Sequence, residues 1–119
     1  MKNILVVEDN KTTLKMIEVF LQEEGYNVRT AENGKKAFIL TKEKRPDLII
    51  LDIIMPEEDG YSFLETLRKE VDLKTIPVII SSTKERMEEF FELEELQPDE
   101  FLPKPYMLSE LLDKVREFV

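Results

Sequence analysis

The chain contains no cysteine and no histidine. Disulfides, thiolate metal sites, cysteine nucleophiles, Ser-His-Asp triads, histidine-ligated zinc and a phosphohistidine on this chain are therefore excluded. Positive charge is in deficit: 17 Lys and Arg stand against 26 Asp and Glu, a formal charge of −9, and the pI is about 4.6. An anionic phosphate backbone is a poor partner for such a surface. Long apolar runs are missing too. None exceeds four residues and the N-terminus has no signal-peptide core, so the expectation is a soluble, cytoplasmic protein that neither spans nor binds a membrane. Any chemistry must come from carboxylates, lysines, hydroxyls and the backbone. What is present is 119 residues, 42% of them hydrophobic, enough for one core and read as a single domain over 1–119.

Short apolar runs rich in β-branched residues occur at Ile4-Leu5-Val6-Val7, Leu48-Ile49-Ile50-Leu51 and Val78-Ile79-Ile80, with weaker candidates at 26–31 and 100–103. Stretches with helical spacing separate them. Residues 12–24 place Leu14, Ile17 and Leu21 on one face, and Gly25 follows as a stop. Asn33-Gly34 opens a second stretch, 35–44, that must end before Pro46. Further helices are predicted over 61–70, 84–96 and 108–118. Five repeats of strand then helix result. Continuous apolar strands are buried on both faces, and each helix supplies the crossover that parallel pairing requires. The predicted fold is an α/β doubly wound five-stranded parallel sheet, order 2-1-3-4-5, with five helices.

In such sheets a site lies beyond the carboxyl ends of the strands where the order reverses, here between the first and third strands. The strands run into Glu8-Asp9, Asp52, Ser82-Thr83 and Lys104-Pro105. Each residue has a plainer reading. Asp9 or Asn10 can cap the next helix, Asp52 can be a loop residue, Ser82-Thr83-Lys84-Glu85 fits a capping box, and Lys104 can be a surface lysine. Their convergence on one edge is what carries the argument. Three carboxylates in contact repel, and without compensation one would take up a proton. A hard divalent cation resolves this, and an oxygen-only donor set favours Mg²⁺ or Mn²⁺. Such an ion leaves positions open for a phosphoryl group. An ionised aspartate beside it can be the nucleophile, with Ser82 and Lys104 holding the phosphoryl oxygens.

These residues resemble the receiver domain of bacterial two-component response regulators. The resemblance spans essentially the whole chain. Its carriers are Ile4-Leu5-Val6-Val7-Glu8-Asp9, Pro46-Asp47-Leu48-Ile49-Ile50-Leu51-Asp52, Met55-Pro56, Gly60, Ile76-Pro77-Val78-Ile79 and Phe101-Leu102-Pro103-Lys104-Pro105-Tyr106. The resemblance implies that Asp52 is the phosphoacceptor, loaded from the phosphohistidine of a sensor histidine kinase or phosphotransfer protein with Mg²⁺ or Mn²⁺ bound. It further implies Asp9 as a direct metal ligand, Glu8 as its neighbour acting through water, and the backbone carbonyl of Ile54 as a third ligand. Ser82 is then the hydroxyl that moves to the phosphoryl group, Lys104 the motif lysine and Phe101 the aromatic that turns inward with Ser82. The Lys104-Pro105 bond becomes a candidate cis peptide. A receiver assists its own phosphorylation and dephosphorylation and is not otherwise an enzyme.

Four positions depart from the family pattern: Glu8 stands for Asp, Thr83 for a small residue, Phe101 has no hydroxyl, and Gln97-Pro98 replaces Gly-Ala. Ile54 has no polar group to orient water, so a comparatively long-lived phosphoryl group is expected. An aspartate-nucleophile phosphatase of the haloacid-dehalogenase type would need a second Asp where Ile54 stands. A flavodoxin-like flavin carrier would need a phosphate loop where Glu8-Asp9 repel phosphate. The remaining alternative is a degenerate receiver acting as a phosphorylation-independent binding module, against which the acidic set, Ser82 and Lys104 weigh. The resemblance places the switching face, for partner binding or dimerisation, on the helix over 84–96, the last strand and the last helix. Residues 84–100 carry Glu85, Glu88, Glu89, Glu92, Glu94, Glu95, Asp99 and Glu100 against Lys84 and Arg86. This stretch reads as a solvated face, or as a docking surface for a basic partner with Phe90, Phe91 or Leu93 as anchors. The chain stops shortly after its last predicted helix, so no output domain is expected within it. The output is then a downstream protein or a covalent output domain of a longer chain.

Overall fold

The three continuous apolar runs form the centre of one sheet. The computed structural model describes residues 1–53, 59–83 and 98–119. Its elements are β1 (Asn3–Val7), α1 (Lys11–Glu23), β2 (Asn27–Ala31), α2 (Gly34–Glu43), β3 (Leu48–Asp52), α3 (Asp59–Lys69), β4 (Val78–Thr83), β5 (Glu100–Lys104) and α4 (Leu108–Arg116). All strands pair in parallel, in the order β2-β1-β3-β4-β5. The predicted helix over 84–96 falls outside the described residues, which contain four helices.

Strand alternation divides the core into two layers. Leu5, Val7, Ile49, Leu51, Val78 and Ile80 pack with Ala37 of α2 and Phe63, Leu64 and Leu67 of α3. Ile4, Val6, Leu48, Ile50, Ile79 and Leu102 pack on the other side with Leu14, Ile17 and Leu21 of α1 and Leu111, Leu112 and Val115 of α4. Every residue of β3 is buried. Burying each Leu or Ile contributes roughly 1.5–3 kcal/mol, so the central strands hold the sheet.

Helix ends follow local chemistry. Asn10 caps α1 by accepting from Thr13 N at 3.0 Å, and Asn33 caps α2 by accepting from Lys36 N at 2.7 Å. Asp9 is thereby released from capping. Gly25, at φ 95°, takes the left-handed conformation that ends α1, its N–H bonded to the Gln22 carbonyl. Arg29 of the edge strand β2 donates to the carbonyls of Leu40, which also accepts from Lys44 N, and of Lys44 at the end of α2.

The entry to β5 is pinned from α3. Arg68 donates to the carbonyls of Lys74 and Ile76 and to Asp99 Oδ2 at 3.2 Å, while Asp99 Oδ2 also accepts from Val78 N at 2.8 Å. Asp99 N donates back to the Val78 carbonyl. These bonds locate β5 although Gln97-Pro98 departs from the family pattern. Further along, Glu100 accepts from Phe101 N at 2.9 Å and Lys114 Nζ of α4 at 3.1 Å. The Phe101 N–H, helped by Lys114, holds the Glu100 carboxyl below the usual 4.5. A depressed carboxyl stabilises the fold above its unfolded pKa and loses that contribution as pH falls through the folded one. Glu100→Gln should therefore cost about 0.5–1 kcal/mol at neutral pH. In urea melts the gap should close as pH falls below about 4; a gap independent of pH would count against the ion pair.

Candidate functional site

Alternation also sets which strand ends meet. Leu102 of β5, Ile50 of β3 and Val6 of β1 all face the α1 and α4 layer. Two residues further along, Lys104, Asp52 and Glu8 share that face at the C-terminal edge of the sheet. Lys104 Nζ bridges Glu8 Oε1 at 2.7 Å and Asp52 Oδ2 at 3.1 Å. Glu8 is also held by Asn10 N, which donates to its Oε2 at 3.3 Å. Glu8 and Asp52 are buried, at 3% and 6% exposure, and Asp9 is exposed. Carboxylate oxygens of Glu8, Asp9 and Asp52 lie within 4.8 Å of one another.

The electrostatics follow from that crowding. Burial, then the Asp52 neighbour, pushes the Glu8 carboxyl above its ordinary range, with Lys104 opposing. Burial and Glu8 likewise raise Asp9. Burial favours a neutral Lys104, but Glu8 and Asp52 outweigh it and hold the ammonium above its ordinary value. Three carboxylates against one ammonium leave two formal negative charges, the charge of one divalent cation. An all-oxygen donor set suits a hard ion. The cluster could hold a metal.

The other expected site residues are placed as follows. Ser82 is fully buried, and its Oγ has no hydrogen-bond partner among the described residues. Alternation puts it on the side of Ile80, the layer against which half-buried Phe101 packs. Thr83, at the exposed end of β4, lines a cavity of about 320 Å³ with Thr13, Met16, Lys104, Pro105, Tyr106 and Leu108. The Lys104–Pro105 peptide is cis. The Ile54 carbonyl, Lys84, Phe90, Phe91 and Leu93 lie outside the described residues.

Two neighbours of the cluster are not singled out by sequence reasoning. Ser81, at 2% exposure, pairs in register with Asp52, and its Oγ has no hydrogen-bond partner among the described residues. Burial pushes the Tyr106 phenol up, while Lys104 and Ser81 favour its ionised form. A serine breaking an apolar strand run was the available signal, but its pairing with Asp52 requires the sheet register.

A doubly wound sheet whose C-terminal edge carries three carboxylates and a bridging lysine defines a flavodoxin-like α/β domain with an acidic, cation-suited site. The model of the response regulator receiver domain matches residues 4–116, and the chain belongs to that family. It is 34% identical over 115 residues to the probable transcriptional regulator ycf27 of Porphyra purpurea, covering 97% of this chain and 46% of that protein. Against the response regulator MprA of Mycolicibacterium vanbaalenii, identity is 33% over 113 residues, covering 95% and 48%. The chain thus spans about half the length of the curated relatives it matches. Chemotaxis protein CheY4 of Vibrio cholerae superposes with a TM-score of 0.91 at 28% identity, covering 100% of this chain and 99% of that one. The receiver domain of a signal transduction histidine kinase from Syntrophus aciditrophicus gives 0.89 at 35% identity, covering 99% and 89%. The chain is a receiver domain of two-component signal transduction. Receiver domains bind Mg²⁺ through acidic residues, the kind that Glu8, Asp9 and Asp52 supply here. Among the described residues, no helix is long and apolar enough to cross a membrane.

Proposed function

We propose that residues 1–119 act as one cytoplasmic receiver module that accepts a phosphoryl group on Asp52. The observation that carries this reading is the buried Asp52 carboxylate, held with Glu8 by a single lysine at the sheet edge. An Asp52 oxygen attacks the phosphorus of a phosphohistidine on a sensor kinase or phosphotransfer protein. The P–N bond breaks, and the imidazole keeps the electron pair. Mg²⁺ bound by Glu8, Asp9 and Asp52 would neutralise charge on the transferring oxygens. Lys104 turns from the Asp52 carboxylate to a phosphoryl oxygen, a charge-assisted bond. Ser82, buried without a partner, offers its hydroxyl to another. Phosphorylation adds nearly a full further negative charge, and Ser82 and Phe101 share the sheet face through which that change would reach β5. The face that the family resemblance assigns to the helix predicted over 84–96, with β5 and α4, then binds a downstream protein, a second copy or a covalent output domain.

The test is intact mass after incubation with acetyl phosphate and Mg²⁺. Wild type should gain one phosphoryl group and Asp52→Asn none. A gain on both chains, or on neither, would overturn the assignment, and the second result would leave a binding module that works without phosphorylation.

A further inference from the structure

A buried hydroxyl that bonds to nothing costs about 1–3 kcal/mol relative to an apolar side chain of the same size. Ser81 is 2% exposed, and its Oγ makes no hydrogen bond of standard geometry among the described residues. Its neighbours in β4, Val78, Ile79 and Ile80, are apolar and fully buried. The Tyr106 phenol lies near enough for Ser81 to favour its ionised form, and the place of Ser81 in the sheet offers a second polar neighbour.

Ser81 stands in register with Asp52 on the adjacent parallel strand, about 4.8 Å away by strand spacing. Both side chains fall on the face shared by Ile79, Leu102 and Ile50. Lys104, the donor that occupies Asp52 Oδ2, lies on the same face. Ser82, whose hydroxyl is offered to a phosphoryl oxygen, falls on the alternate face of β4 and so does not stand in register with the Asp52 carboxyl.

We propose that Ser81 is a positioning residue for the phosphoacceptor, donating its hydroxyl to the Asp52 carboxyl oxygen that is not esterified and so hastening loss of the phosphoryl group. The inference rests on Asp52 as acceptor. When the phosphoryl group takes one carboxyl oxygen, Lys104 follows the phosphoryl charge and Asp52 is left without that donor. Hydrolysis then proceeds by attack of a water oxygen on phosphorus. The P–O bond to Asp52 breaks, its electron pair returns to the carboxylate, the water proton leaves to solvent and inorganic phosphate departs. Negative charge grows on the Asp52 carboxyl group as that bond breaks. A hydroxyl aimed at its second oxygen is worth more there than in the acyl phosphate, which is the condition for accelerating the step.

The test uses the full chain, phosphorylated with acetyl phosphate and Mg²⁺, freed of donor and followed by intact mass. Ser81→Ala should lengthen the half-life of the adduct roughly 3- to 10-fold, the worth of one such hydrogen bond. Ser81→Thr, which keeps the hydroxyl, should decay near the wild-type rate, and Ser81→Val should follow Ser81→Ala. Ser81→Ala should also unfold at a temperature close to wild type, since the Ser81 Oγ makes no hydrogen bond of standard geometry among the described residues. Adduct formation with wild-type decay in Ser81→Ala would overturn this inference and leave Asp52 as acceptor. Absence of any adduct on the wild-type chain would overturn both.

Discussion

Gly60→Ala is expected to lower the free energy of unfolding by about 3 kcal/mol, a large loss for a domain of this size. A Cβ at this position would sit 2.8 Å from Ile53 Cα, 2.9 Å from the Ile53 carbonyl oxygen and 3.0 Å from the Asp52 carbonyl oxygen. All three are backbone atoms, so no side chain can rotate away to make room. Either α3 moves off the sheet, opening the layer around Phe63, Leu64 and Leu67, or the end of β3 shifts. The second response displaces Asp52 itself, so on the proposed assignment of Asp52 as acceptor the variant should also gain a phosphoryl group more slowly. Gly25 makes a useful contrast: a Cβ there meets nothing within 4 Å, and only its positive φ disfavours other residues. Urea unfolding of Gly60→Ala checks the first claim, and a loss under 1 kcal/mol would mean that the contact relaxes cheaply.

Replacing Lys104 with methionine should cost about 2–3 kcal/mol at neutral pH in the absence of divalent ions, somewhat below the usual cost of breaking a buried pair because the side chain is 29% exposed. The methionine fills similar space, so the loss is electrostatic: buried Glu8 and Asp52 would face each other with no cation between them. Magnesium should then matter more to the variant than to wild type. An ion at one hundred times its dissociation constant stabilises by about 2.7 kcal/mol, and removing the competing ammonium should tighten binding. Thermal melts with and without MgCl₂ should show the difference between the two chains shrinking in magnesium. A difference that magnesium leaves unchanged would mean that Glu8, Asp9 and Asp52 do not hold the ion together.

Much of the fold is legible along the chain because its causes are local. Short continuous runs rich in β-branched residues read as strands buried on both faces, and the inward positions Leu14, Ile17 and Leu21, then Leu111, Leu112 and Val115, recur at helical spacing and are buried as expected. Caps are less legible. Asp9 and Asn10 are chemically equal candidates, and the choice of Asn10 depends on where the backbone turns after β1. Gln97-Pro98 departs from the family pattern before β5, and the anchor of that strand comes from Arg68 on α3, with Asp99. No local pattern links an arginine and an aspartate 31 residues apart.

The sequence by itself determined the inventory of possible chemistry and the family. With no histidine and no cysteine, the chain has only carboxylates, lysines and hydroxyls to work with, and the order of its motifs marks a receiver. These are properties of composition and spacing, which folding does not alter. The tertiary structure decided which of those groups meet. Glu8 and Lys104 are 96 residues apart and 2.7 Å from each other, an approach set by the sheet register and strand order. The same register divides two adjacent serines, Ser82 toward Phe101 and Ser81 beside Asp52, because successive side chains of a strand point to opposite faces. A strand run read as sequence has no neighbouring strand, so that division became visible only once β3 and β4 were paired.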